Sequence, residues 1–152
     1  MTPSIVARIK NQLDCLPEVL GSASRDSLHS RPVPGKWSAH ENLAHLLRVQ
    51  EVMFSRMERI LVEDSPRLDR YDAQSDPDWP RYAALPTDQV LEQLVTTRKR
   101  LVATLEKLSP EALARIGVHS RMGAMPLVTW LEFFLVHEAH HLYATFLRIR
   151  GA

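Results

Sequence analysis

Apolar residues recur every three to four positions in four stretches of this chain, and turn-forming residues separate the stretches. The first runs from about Pro3 to Leu20. Thr2 can cap it, and Pro3 suits the first helical position, where an N–H is not needed. Ile5, Ile9, Leu13, Leu16 and Leu20 share one face. Gly21 and the polar SASRDS after it end the helix, and HSRPVPGKW reads as an extended loop because Pro32 and Pro34 exclude helix.

The second stretch opens on Ser38-Ala39-His40-Glu41, a capping box in which the serine oxygen and the glutamate carboxylate each accept the other's backbone N–H. Leu43, Leu46, Leu47, Gln50, Met53, Phe54, Met57, Ile60 and Leu61 carry the period to about Val62. Residues 63–86 hold Pro66, Pro77, Pro80 and Pro86 with Asp72, Ser75 and Asp76, which predicts a long surface crossover. Such loops in compact domains often serve function. Thr87 opens the third stretch, with Val90, Leu91, Leu94, Val95, Leu101, Val102, Leu105 and Leu108 as its buried stripe. Ser109-Pro110-Glu111 starts a short extra turn to about Arg115, and GVHSRMGAMP reads as loop with a tight reversal at Gly123. The fourth helix begins near Pro126 or Thr129. Its stripe is Leu127, Leu131, Phe134, Leu135, Leu142, Phe146 and Ile149, and Gly151 ends it. Four helices with one long crossover between the second and third predict an all-α four-helix bundle, with residues 1–152 as one domain.

Composition narrows the functional classes. Apolar residues make up 45% and charged residues 24% of the 152 positions, ordinary for a globular protein. A net charge of +1 gives no reason to expect nucleic acid or an acidic membrane as partner. Cys15 is the single cysteine, which excludes an internal disulfide and a cysteine-cluster zinc site and fits a reducing cytosol. MTPSIVARIK has no apolar core of a signal peptide, and no apolar run reaches membrane-spanning length. A cytoplasmic protein with a small-molecule substrate is the expectation.

Three of the seven histidines lie in HEAHHLYATFLRIR. His137 and His141 are four residues apart and lie one above the other on a helix face. Two imidazoles at that spacing suit one metal ion, and bundles build such sites from side chains on different helices. His45, inside the stripe of the second helix, is the candidate third ligand. His140 points away from the pair, His40 sits in a first helical turn, and His29 and His119 fall in predicted loops. The plainer reading is a set of part-exposed helix histidines that place positive charge near a helix C-terminus.

His137-Glu138-Ala139-His140-His141 also reads as HExxH, with the glutamate as general base of a metallopeptidase. Ala144 and Leu147 stand where an extended zincin motif needs Gly and His. Glu41 and Glu138 are candidates to orient ligand imidazoles, against simpler roles in capping and at a solvated or helix-contact position. Cys15 reads as a small core residue rather than a nucleophile. Arg148 and Arg150 could hold an anionic cofactor or simply favour the helix C-terminus. Trp79, Tyr82, Met122, Met125 and His140 are candidates for a pocket mouth or a subunit contact.

GKWSAHENLAHLLRVQE and HEAHHLYATFLR, taken in order, resemble the two motifs of the DinB/YfiT-like four-helix proteins. The resemblance spans the whole chain. It implies metal ligands at His45, His137 and His141, with Trp37 and Ser38 shaping the helix start. It further implies a divalent ion, zinc or nickel, with open positions taken by water, and a homodimer. Characterised members of that family include mycothiol- or bacillithiol-using transferases and maleylpyruvate isomerase. The resulting expectation is a metal-dependent transferase with a low-molecular-weight thiol as cosubstrate. A non-catalytic metal-binding stress-response protein is one alternative, and the HExxH metallopeptidase is another.

Overall fold

The computed structural model describes residues 1–152. The first amphipathic stretch is not one helix. It divides into α1 (Pro3–Asn11), a 3-10 turn (Gln12–Cys15) and α2 (Leu16–Leu20). Pro17 is the cause: it has no N–H for the Leu13 carbonyl, and its ring would collide with that carbonyl in a continuous helix. The chain restarts with Pro17 in the first turn of α2, where no donor is required. The apolar face survives the break, so Ile5, Ile9, Leu13 and Leu16 are all buried. Cys15, expected in the core, is exposed instead. The SASRDS segment adds a short helix, α3 (Arg25–His29), because the Ser24 hydroxyl accepts from Ser27 N at 3.1 Å. His29 therefore closes a helix and does not lie in a loop.

α4 (Ala39–Val62) starts at the capping box: Glu41 N donates to Ser38 Oγ at 3.1 Å and Ser38 N to Glu41 Oε2 at 2.8 Å. The crossover carries a two-residue strand, β1 (Arg67–Leu68), and a short helix, α5 (Trp79–Ala83). It is held to α4 by the forked pair of Arg48 with Asp76, at 2.6 and 3.2 Å, and by the Tyr82 hydroxyl donating to Glu51. α6 (Thr87–Leu105) buries Val90, Leu94, Leu101 and Leu105, while Val95 faces outward. α7 (Pro110–Ala114) is the short turn expected after Ser109.

The segment read as loop is a hairpin of β2 (Ile116–His119) and β3 (Gly123–Pro126), and β1 pairs parallel to β2 to make a three-stranded sheet. Gly123 takes φ +76 after the three-residue reversal, a conformation with little cost only for glycine. α8 (Leu127–Ile149) completes the set of long helices, with Phe146 exposed rather than in its buried stripe. The protein is thus mostly helical, a four-helix bundle with a long second-to-third crossover, and the small sheet is an addition to it. No helix is long and apolar enough to cross a membrane.

The sheet packs tightly on α4 at Gly117. A Cβ there would lie 2.8 Å from two side-chain carbons of Ile60 and 3.1 Å from Leu68. Gly117→Ala is therefore expected to destabilise the protein by about 1–3 kcal/mol through overpacking, read from its urea midpoint.

Two apolar clusters fill the bundle, one around Ile9, Met57, Ile60, Leu101 and Leu131, the other around Leu43, Leu47, Leu94 and Leu142. A buried polar ring joins all four helical segments. Arg98 on α6 donates to Glu138 on α8, to Gln50 on α4 at 2.7 Å and to the Ile9 carbonyl at 3.2 Å. Gln12 in the 3-10 turn donates to Glu138 at 2.9 Å, and Gln50 donates to the Leu94 carbonyl at 2.8 Å. Each side chain of the ring has a partner on another element, which sets the register of the helices as well as their spacing.

Candidate metal centre

Helical spacing alone aligns His137 and His141 on α8, and packing of α8 against α4 brings His45 to them. Ring centroids lie 4.5 Å apart for His137 and His141, 4.4 Å for His45 and His141, and 5.1 Å for His45 and His137. One nitrogen from each ring falls within 4.8 Å of the others. The Nε2 atoms of His45 and His137 approach to 3.3 Å. All three candidate ligands are therefore in one place, and His140 is exposed at the outer side of His141, outside the cluster.

The electrostatics keep these rings neutral. Burial lowers the His45 pKa to about 3, with the charge of His137 acting in the same sense. Burial first and neighbouring histidines second lower His141 to about 2, and burial, His140 and Arg56 lower His137 to about 4. Their lone pairs are free at neutral pH. Asn42, one turn before His45 and on the same face, fixes one tautomer. Its Nδ2 donates to the Ser38 carbonyl at 2.8 Å, so its Oδ1 accepts from His141 Nδ1 at 2.8 Å. That leaves His141 Nε2 as the unprotonated nitrogen. The Nδ1 atoms of His45 and His137 are buried without a protein partner. Three converging neutral imidazoles, one of them with its tautomer fixed by an amide, fit a borderline divalent cation.

Aromatic rings cover the cluster. Trp37 lies 4.7 Å from His45 and stacks on Trp79 at 5.2 Å, and Tyr71 lies 5.6 Å from His45. Trp37 thus does more than shape the start of α4. The rings open onto a cavity of about 330 Å³ whose wall continues along α4 and α8 through Val49, Met53, Phe133 and Phe134. Arg56 and the buried His119 reach its far end. A second cavity of about 360 Å³ lies beyond His141 and takes in Lys36, His140 and Arg148. Arg148 donates to the Ala152 carbonyl, and Arg150 stacks over Phe146 at 5.3 Å.

Several expectations change. Glu138 takes the helix-contact position and not a solvated one, and it orients no ligand ring: it is 0% exposed and paired with Arg98 on α6. Glu41 accepts from Arg31 and Ser38 and orients no histidine. His40 is buried, between Thr87 Oγ1 at 2.9 Å and the Ala83 carbonyl at 3.0 Å. The HExxH reading loses its general base: its two histidines, His137 and His141, both join the cluster, but the glutamate between them is committed to Arg98. Tyr82 belongs to an apolar cluster, and Met122 is exposed. Asn42, Arg56 and His119 were missed as site residues. Only Asn42 carried a local signal, three residues before His45 on the same helix face.

A protein of Oceanobacillus iheyensis named "Putative metal-dependent hydrolase" is 24% identical over 138 residues, covering 89% of this chain and 78% of that one. The uncharacterized protein YuaE of Bacillus subtilis is 24% identical over 136 residues, covering 81% and 83%. Among solved structures, YfiT from Bacillus subtilis, described as "a probable metal-dependent hydrolase with an unusual four-helix bundle topology", aligns with a TM-score of 0.80 at 18% identity over 96% of this chain and 83% of that one. The DinB-like protein YjoA of the same organism aligns with a TM-score of 0.65 at 20% identity, over 97% and 90%. These two likenesses carry the fold. The model of the DinB superfamily matches residues 9–144, nearly the full length, and the chain belongs to that superfamily.

Proposed function

We propose that His45, His137 and His141 hold one divalent metal ion and that the protein is an enzyme joining a low-molecular-weight thiol to a small electrophile. The observation that carries this reading is the convergence of three neutral imidazoles within 4.8 Å at the wall of a cavity. Membership of the DinB superfamily and the metal-dependent names of two relatives support it. Zinc or nickel is the assigned ion, since neutral imidazole suits both. When bound, it supplies Lewis acidity that brings a thiol or water within reach of deprotonation near neutral pH.

The chain's own residues do the rest. Asn42 holds His141 in the tautomer that presents Nε2. Trp37, Trp79 and Tyr71 shield the rings from bulk water, and Val49, Met53, Phe133 and Phe134 receive the apolar body of the electrophile. The names of two relatives, both metal-dependent hydrolases by description, favour a second reading at the same centre, with water as nucleophile and hydrolysis as outcome. The homodimer and the cytoplasmic setting belong to the first reading; the exposed Val136 and Tyr143 give α8 an apolar face for the former.

The test uses purified protein, monochlorobimane and cysteine. In the product the thiol sulfur is bonded to the bimane carbon, and chloride has left with the thiol proton. Wild type is expected to contain about one metal ion per chain and to accelerate conjugation, and His45→Ala to keep its helicity but retain less than about a tenth of the metal and of the rate. Hydrolysis of a nitrophenyl ester without thiol consumption would select the hydrolase. Metal retention with neither activity would leave a non-catalytic metal-binding protein.

A further inference from the structure

Three turns of α4 separate His45 from Arg56, and the residues between them on that face, Val49 and Met53, are apolar. The helical rise puts the two Cα atoms about 16 Å apart, and side chains on a helix lean toward its N-terminus, which brings the guanidinium back toward the imidazoles. Arg56 forms no ion pair. It donates to the Asp69 carbonyl, lies with its Cζ 5.4 Å from the Trp130 ring and lines the cavity. Asp69 acts on it only from beyond ion-pair distance.

His119 is 5% exposed and lines the same end of the cavity. Its Nδ1 accepts from the backbone N–H of Arg121 at 3.0 Å and of Met122 at 3.2 Å. A nitrogen that accepts two N–H bonds cannot itself carry a proton, so the proton of the neutral ring is on Nε2. The hairpin turn thereby makes His119 a fixed donor, and burial, with the positive charges of Arg56 and Arg121 second, keeps it neutral. A guanidinium fork without a carboxylate and a locked N–H donor thus share one end of an otherwise largely apolar cavity. The single charge of Arg56 matches a monoanion, since Arg70 and Asp72 offset one another at the exposed rim.

The geometry points to a carboxylate subsite: the small-molecule substrate carries a carboxylate that Arg56 and His119 bind, set several bonds from the atom presented to the histidine cluster, with an apolar body between. This rests on the reading of the cavity as the substrate site, but not on the metal.

Calorimetric titration of chelator-treated protein separates the two. The probes are 3-phenylpropanoate, its neutral amide and phenethyl phosphonate. The carboxylate is expected to bind at least about tenfold more tightly than the amide, the value of a charge-assisted pair. Arg56→Met should abolish that preference and Arg56→Lys should reduce it, because lysine keeps the charge and loses the fork. His119→Asn, whose Oδ1 can still accept the two turn N–H groups, should weaken the carboxylate severalfold and leave the amide unchanged. Equal binding of acid and amide by wild type, or a preference intact in Arg56→Met, overturns the proposal. Tighter binding of the phosphonate overturns the carboxylate assignment. A wild-type protein that purifies without metal and takes up none when zinc is added, yet still prefers the acid, defeats the metal reading and leaves this subsite standing.

Discussion

Arg98→Ala is expected to lower the stability of this protein by about 3–5 kcal/mol, the usual cost of stranding one partner of a buried ion pair. Glu138 is fully buried, and it accepts from Arg98 and from Gln12. Burial pushes its carboxyl above the usual range, and Arg98 is the main force opposing that push. With the guanidinium gone, the carboxyl is left with one amide donor in an apolar surround, and Gln50 loses the donor to its Oε1. A group whose folded pKa is raised contributes stability at low pH that is lost as pH rises through that value. The deficit of Arg98→Ala should therefore shrink as pH is lowered and Glu138 takes up its proton. Replacing the pair together, as Arg98→Met with Glu138→Leu, should recover most of the loss, since no charge is then left unpaired. Urea midpoints at two pH values read all three variants. A loss under about 1 kcal/mol for Arg98→Ala would mean the ring is not buried as described.

The legibility of this ring was uneven, and so was that of the fold. The start of α4 could be read from Ser38 and Glu41 because a capping box is satisfied within four residues. The helical pair His137/His141 could be read for the same reason: the spacing is local. Arg98 sits in the run TTRKRL, where it looks like one more solvated base, yet it falls on the line of Leu94, Leu101 and Leu105 and is buried with them. Its acceptors are on three other elements, and no local pattern names them. The sheet was hidden likewise. β1 is two residues long and pairs with β2 about fifty positions later, so neither strand shows an alternating run of its own. Arg56 and His119 reach the cavity only because the sheet and α4 are packed together. Pro17 was visible and decisive, but the apolar period continues across the break and masks it.

Chelator-treated protein is expected to lose stability steeply as pH falls below about 6.5, and the increment restored by metal is expected to stay level over the same interval. The sign follows from the pKa directions. In the unfolded chain His45, His137 and His141 take up protons around pH 6.5. In the folded chain they resist protonation until about 3, 4 and 2 respectively, chiefly through burial. A depressed folded pKa means the unfolded state binds more protons between those limits, so the stability these neutral rings allow is complete above pH 6.5 and drains away toward pH 4. Each ring contributes up to about 1.4 kcal/mol per pH unit, an upper figure because His137 and His141 are part exposed. Burial shifts His119 in the same direction, and Glu138, with its raised pKa, offsets at most one proton. Metal at a thousandfold over its dissociation constant should add about 4 kcal/mol. Because protons do not compete for the folded rings above about pH 4, that increment should be the same at pH 7.5 and pH 5.5, read as the difference between urea midpoints with and without zinc. Metal stabilisation that instead disappears with a midpoint near 6.5 would place the ligands among ordinary exposed histidines. His45→Ala should abolish the increment and flatten the acid slope of the metal-free protein by about one proton, a pair of changes that loss of a merely structural contact would not produce together.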